Sequence, residues 1–206
     1  MKLRAASLYL LTICIFVLPA LAQNDLYNNG PTNGNVDAWT INFGFLVADS
    51  FNLTSNSTVN GLNFAAWLTP GDVLESVDVW ISSEGVGGTT YFNQQVNFTQ
   101  SGCSPNQYNF DVCNEVGHFS GPTLNAGTYW VNLYNAVVNN GDPVYWDEND
   151  GPSSATETYG DASIPSESFT ILGSANGGGT TPEPDSVLLF ASGVLAVGSV
   201  LRRKLF

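Results

Sequence analysis

Between residues 39 and 172 apolar side chains recur every second position in short runs, and the runs are broken by Gly, Asn, Pro, Ser and Thr. A period of two places alternate side chains on one face of a strand. Trp39, Ile41, Phe43, Phe45 and Val47 would line one face of a strand over 39–47. Leu62, Phe64, Ala66 and Leu68 would do so over 61–68. Over 73–81, Val73, Val77, Val79 and Ile81 turn inward, with Asp78 and Trp80 opposite. Residues 128–138 form another long strand, and shorter ones are expected at 50–54, 90–98, 108–112, 116–120, 144–146 and 167–172. Joints such as Asn139-Asn140-Gly141-Asp142-Pro143 read as turns. Such strands, with turns every 8–12 residues or so, predict an all-β fold, a single antiparallel β-sandwich of jelly-roll type spanning 23–172.

Both ends of the chain depart from this pattern. Met1-Lys2-Leu3-Arg4 is basic, Leu8 to Leu18 is apolar, and Ala20-Leu21-Ala22 fits a small-x-small cleavage site. Residues 1–22 therefore read as a signal peptide, with Gln23 as the mature N-terminus. After a Gly-rich linker over 173–181, the chain reads Pro182-Glu183-Pro184, an uncharged apolar run Val187–Leu201, then Arg202-Arg203-Lys204. The run is short against the roughly 20 apolar residues of a membrane span. Bilayer thinning and snorkelling of the flanking cations accommodate a short span, with the cations on the cytoplasmic side.

Residues 182–206 resemble the PEP-CTERM sorting signal of Gram-negative bacteria, through the Pro-Glu-Pro motif, the apolar helix and the basic stop. The resemblance implies recognition by an exosortase-type membrane enzyme. It also implies an inner-membrane precursor held by the C-terminal helix, then delivery to the cell surface, outer envelope or extracellular space. Val47-Ala-Asp-Ser-Phe51 and Leu124-Asn-Ala-Gly-Thr-Tyr-Trp-Val-Asn-Leu133 are similar to strands of the β-sandwich domains found ahead of such tails. That likeness implies fold and location only.

Charge narrows the function further. The five Lys and Arg are Lys2, Arg4, Arg202, Arg203 and Lys204, whereas all 18 acidic residues fall between Asp25 and Asp185. A body without cations has nothing to set against phosphate, so nucleic acid is excluded as a partner. Cys103 and Cys113 lie in a Gly/Pro/Asn-rich connection of an exported chain, where a disulfide is the expected state. His118 is the lone histidine; Gly117-His118-Phe119-Ser120-Gly121 is not a nucleophile elbow, and no catalytic motif is present. The chain reads as a non-enzyme without a required cofactor. A carboxylate-based hydrolase is the alternative, since that chemistry needs only two acids at a suitable separation.

The most site-like segment runs from Asn139 to Pro152 and sets Tyr145 and Trp146 among Asp142, Asp147, Glu148 and Asp150. Rings that pack on sugar faces beside hydroxyl-accepting carboxylates would suit an extracellular polysaccharide. Oxygen ligands at this density would also suit calcium, although the spacing is not that of an EF-hand. The plain alternative is a turn whose aromatic residues belong to the core. The overall expectation is an exported, surface-directed structural or adhesive protein of the envelope or matrix, with a carbohydrate- or calcium-binding module as the alternative.

Overall fold

The computed structural model describes residues 24–158 and 163–176. The expected signal peptide with its cleavage residues Ala20, Ala22 and Gln23, the sorting motif, the apolar helix and the basic stop lie outside them. Among the described residues there is no helix, and so none long and apolar enough to cross a membrane.

Thirteen strands follow in order: β1 Asn24–Asn28, β2 Ala38–Thr40, β3 Leu46–Leu53, β4 Ser57–Leu68, β5 Leu74–Ser82, β6 Thr90–Pro105, β7 Asp111–His118, β8 Thr123–Leu124, β9 Gly127–Val138, β10 Tyr145–Asp147, β11 Ala155–Glu157, β12 Ser163–Ile164 and β13 Phe169–Ala175. Every pairing between them is antiparallel. The sheet runs β1-β13-β4-β7-β6-β5-β9-β3-β11-β12, with β10 bridging β2 and β4 and β8 added to β4. The described residues are thus all-β, one antiparallel sheet curled upon itself.

Strand β6 makes the curl possible. Its first part pairs with β5 from Thr90 to Asn97, and its second part pairs with β7 from Phe98 to Pro105. Inner faces then share one core. Val79, Val131 and Leu133 lie on the β5–β9–β3 side, and Leu62, Phe64 and Ile171 on the β7–β4–β13 side, all at most 1% exposed. The two ends of the curl meet at Tyr27 of β1, whose ring lies 5.6 Å from Phe169 and 6.3 Å from Phe51 of β3.

The alternation over 61–68 is realised, with Leu62, Phe64, Ala66 and Leu68 all buried on β4. Elsewhere the boundaries differ. The run 39–47 is broken at Phe43 and Gly44, which take φ of 56° and 92°. Asn42 causes the break. Its carbonyl accepts from Phe45 N, its Nδ2 donates to the Asp142 carbonyl, and its Oδ1 accepts from Val144 N. Phe43 is left 63% exposed rather than inward. Val73 is also exposed, because its N–H donates to Asn139 Oδ1 and the β5–β9 register shifts twice, at Leu74/Ser76 and Ser76/Asp78. The strands expected at 108–112 and 116–120 are one strand, β7, after a turn in which Asn109 has φ 63°. The last strand continues past Leu172 to Ala175, so Gly173, Ser174 and Ala175 pair with β4 rather than opening the linker.

Cys103 and Cys113 form a disulfide, with Cα atoms 4.1 Å apart. It joins β6 to β7 where their register shifts between Ser101 and Ser104.

Candidate functional site

The acidic-aromatic segment is centred on β10, between β2 and β4. In that position adjacent side chains point to opposite faces, and both faces are covered at Trp146 and Asp147. Trp146 is fully buried, donates Nε1–H to the Ser168 carbonyl at 3.0 Å, and meets Phe64 and Phe169 edge-on. Tyr145 is half-buried against Phe110. Neither ring forms an open platform for a sugar.

Asp147 is buried as well. Its Oδ1 accepts from Trp67 Nε1 at 2.6 Å and Gly34 N at 2.7 Å, and its Oδ2 accepts from Asn33 N at 2.8 Å. Burial pushes its pKa up and these three donors oppose the rise. The carboxylate ties the 33–34 loop to β4, so it acts as a structural hub. Glu148 is half-exposed and accepts from Trp39 Nε1 at 3.1 Å. Asp150 is exposed, and Asp142 is half-buried at the far end of the segment. Among the described residues no three His, Cys, Asp or Glu side chains are already arranged to hold a metal ion.

A second polar cluster lies beside the first. Asn29 Nδ2 has four oxygens around it: Ser153 Oγ at 2.6 Å, the Glu167 carbonyl at 2.6 Å, Ser166 Oγ at 3.0 Å and Asp49 Oδ2 at 3.3 Å. Asp49, fully buried on β3, accepts at Oδ2 from Ser153 Oγ and Glu167 N and at Oδ1 from Ser50 N. Burial raises its pKa to about 6 against those donors. Asn149 extends the network, donating to the Asn29 carbonyl and accepting from Ser166 Oγ. Glu167 is fully buried, and neither of its carboxyl oxygens has a hydrogen-bond partner. Burial first, and then the carboxylates of Asp49, Glu148, Asp147 and Asp37, push its pKa well up.

None of Asn29, Asp49 and Glu167 stands out as a motif. One signal was present: Asp49 falls on the same strand phase as Val47 and Phe51, so an inward β3 face must carry an acid. His118 sits exposed at the end of β7. Compared with known proteins, the chain matches no family model and no curated protein.

Proposed function

We propose that the chain is an exported, surface-directed structural or adhesive protein of the cell envelope or extracellular matrix, with the curled sheet serving as a jelly-roll-like sandwich ectodomain. The observation that carries this reading is the order Pro182-Glu183-Pro184, apolar run, Arg202-Arg203-Lys204 at the C-terminal end, opposite an N-terminal signal-peptide pattern. An exosortase-type enzyme is the implied processing partner.

Three features support it. The Cys103–Cys113 disulfide suits an oxidising compartment outside the cytoplasm. Trp146 of the acidic segment serves the core, and Tyr145 packs edge-on against Phe110. The acids Asp49, Glu115 and Glu167 are fully buried and belong to the interior of the sheet. The test is deletion of residues 181–206, followed by cell fractionation and intact mass. The expected result is loss of C-terminal processing and of surface delivery. An unchanged mature mass together with an unchanged location would overturn the reading.

A carbohydrate-binding role is favoured by a different observation. A cleft of about 260 Å³ beside the disulfide is lined by Asn33, Asn35, Asn106 and Asn114, and Asn106 Nδ2 is buried there without a partner. Amide groups of this kind pair with sugar hydroxyls. On this reading a glycan array probed with the full chain shows retained glycans that Asn106→Ala loses; an array without retention rejects it.

A further inference from the structure

Glu148 and Glu167 face each other across an isolated antiparallel bridge. The flanking hydrogen bonds run from Ser168 N to the Asp147 carbonyl and from Asn149 N to the Ser166 carbonyl, both at 2.8 Å. That pattern makes 148 and 167 a non-hydrogen-bonded pair, the closer of the two antiparallel kinds, with side chains on the same face and Cβ atoms about 5 Å apart. Two carboxylates placed so are mutually destabilising. Asp37 adds a third, because its carbonyl accepts from Glu148 N at 3.1 Å, which sets it beside the pair. Asp49 closes the inner side through its bond from Glu167 N.

No Lys or Arg lies between Ala5 and Leu201 to neutralise the group. Buried charge has to be paired, coordinated or protonated. The neighbouring network takes up the Glu167 backbone but leaves its carboxyl out: Asn29, Ser153, Ser166 and Asn149 are bonded among themselves and to Asp49, and both carboxyl oxygens remain bare. The Glu167 carboxyl is covered, with unused lone pairs, and is bordered by exposed Asp37 and half-exposed Glu148, the side from which a cation would arrive once those side chains move.

The geometry points to a divalent-cation site of the calcium class, with Glu167 as the inner ligand, Glu148 opposite it and Asp37 at the mouth. Hard oxygen ligands and the absence of His or free Cys from the cluster favour calcium over transition metals. Calcium takes 6–8 or so oxygens at about 2.3–2.6 Å in adaptable geometry, so two side chains rooted about 5 Å apart can reach one ion, and water completes the shell. The ligands are not yet gathered. Glu148 is held through Oε2 by Trp39, and Asp37 Oδ1 accepts from the adjacent Ala38 N, so binding requires both side chains to leave these partners and turn to Glu167. The site differs from the Asp142–Asp150 segment in its inner ligand, which comes from the turn before β13.

Calorimetric titration and thermal melting of the full chain in detergent micelles test this, with calcium chloride against sodium chloride of equal ionic strength. The expected result is one calcium per chain with a Kd of about 10⁻⁴ M, in the range of extracellular modules, and a melting temperature raised by calcium and not by sodium. Glu167→Gln, of the same shape, abolishes both responses. Glu148→Gln, at a half-exposed position where folding is safe, weakens binding at least about tenfold, the loss of one charged oxygen ligand. Asp142→Asn with Asp150→Asn leaves it unchanged. Absence of calcium heat, equal responses to the two salts, or binding that survives Glu148→Gln at full strength overturns the site and leaves Glu167 as a protonated core acid.

Discussion

Glu115 offers the cleanest test of the electrostatics of this core. It lies on the inward phase of β7, between Cys113 and Gly117, and is paired with Phe64 of β4 and Gln100 of β6. It is fully buried, and neither carboxyl oxygen has a partner. Gln100 opposite does not help: its amide serves Leu74 N, the Asp72 carbonyl and Cys103 Sγ. Burial therefore raises the Glu115 pKa from 4.5 to about 8. The unfolded chain releases this proton near pH 4.5, whereas the folded chain keeps it to about pH 8. The folded state binds more protons in that window, so stability is lost as pH rises through it. At about 1.4 kcal/mol per pH unit, the whole loss is about 5 kcal/mol, of which about 3 kcal/mol falls between pH 5 and 7. Glu115→Gln keeps the volume and cannot ionise. The variant should lie within about 1 kcal/mol of the parent at pH 5, since a protonated acid and an amide are similarly unpartnered there. By pH 7 its relative stability should have risen by about 3 kcal/mol. Urea unfolding at four pH values measures this, and the other buried acids cancel because both proteins carry them. A stability difference that stays flat from pH 5 to 8 would refute the argument.

Two further outcomes are expected. Replacing Cys103 and Cys113 by Ser should cost about 2–3 kcal/mol, the loop-closure entropy of a short cross-link; an unchanged urea midpoint contradicts it. Gly151→Ala would place a Cβ against the Asn29 carbonyl and 2.5 Å from Ser166 Oγ, inside the buried polar network. It should cost about 2–3 kcal/mol and more than Gly71→Ala, where a Cβ meets nothing and only the positive φ of 92° is strained; equal melting temperatures for the two variants would dismiss the contact.

The long strands were legible in the chain. Residues 61–68 and 128–138 read as strands, and β4 and β9 run through them. The inward phase of β9 changes at Asn135, with φ 51°, from Val131 and Leu133 to Ala136 and Val138, and periodicity alone does not show that change. What escaped depends on contacts far along the chain. Asn42 breaks the 39–47 run through bonds to residues about a hundred positions away, which local alternation cannot reveal. Gly173 looks like the start of a flexible linker. It occupies an irregularity in the β13–β4 ladder, where a Cβ would run into the Thr58 carbonyl and crowd Leu26. The candidate site was half legible for a similar reason. Composition singles out Tyr145, Trp146, Asp147 and Glu148, but β10 is a strand between two others with both faces covered, Trp146 by the core and Asp147 by the 33–34 loop and Trp67. Asn29 and Asp49 lie 20 residues apart, and Glu167 is more than a hundred residues beyond both. Only the fold puts them together.

The pairing of β1 with β13 has a mechanical meaning. Asn24 faces Gly173 and Asn28 faces Thr170 in an antiparallel ladder, so the two ends of the described domain leave from the same end of that ladder. A force applied between them opens that ladder one rung at a time, like a zipper, instead of shearing all rungs together. The domain should yield at low force when pulled by both ends. The same proximity means a short bridge could join residue 24 to residue 175 and new ends be cut at an exposed turn such as Asn140–Gly141, yielding a permuted chain with the same sheet.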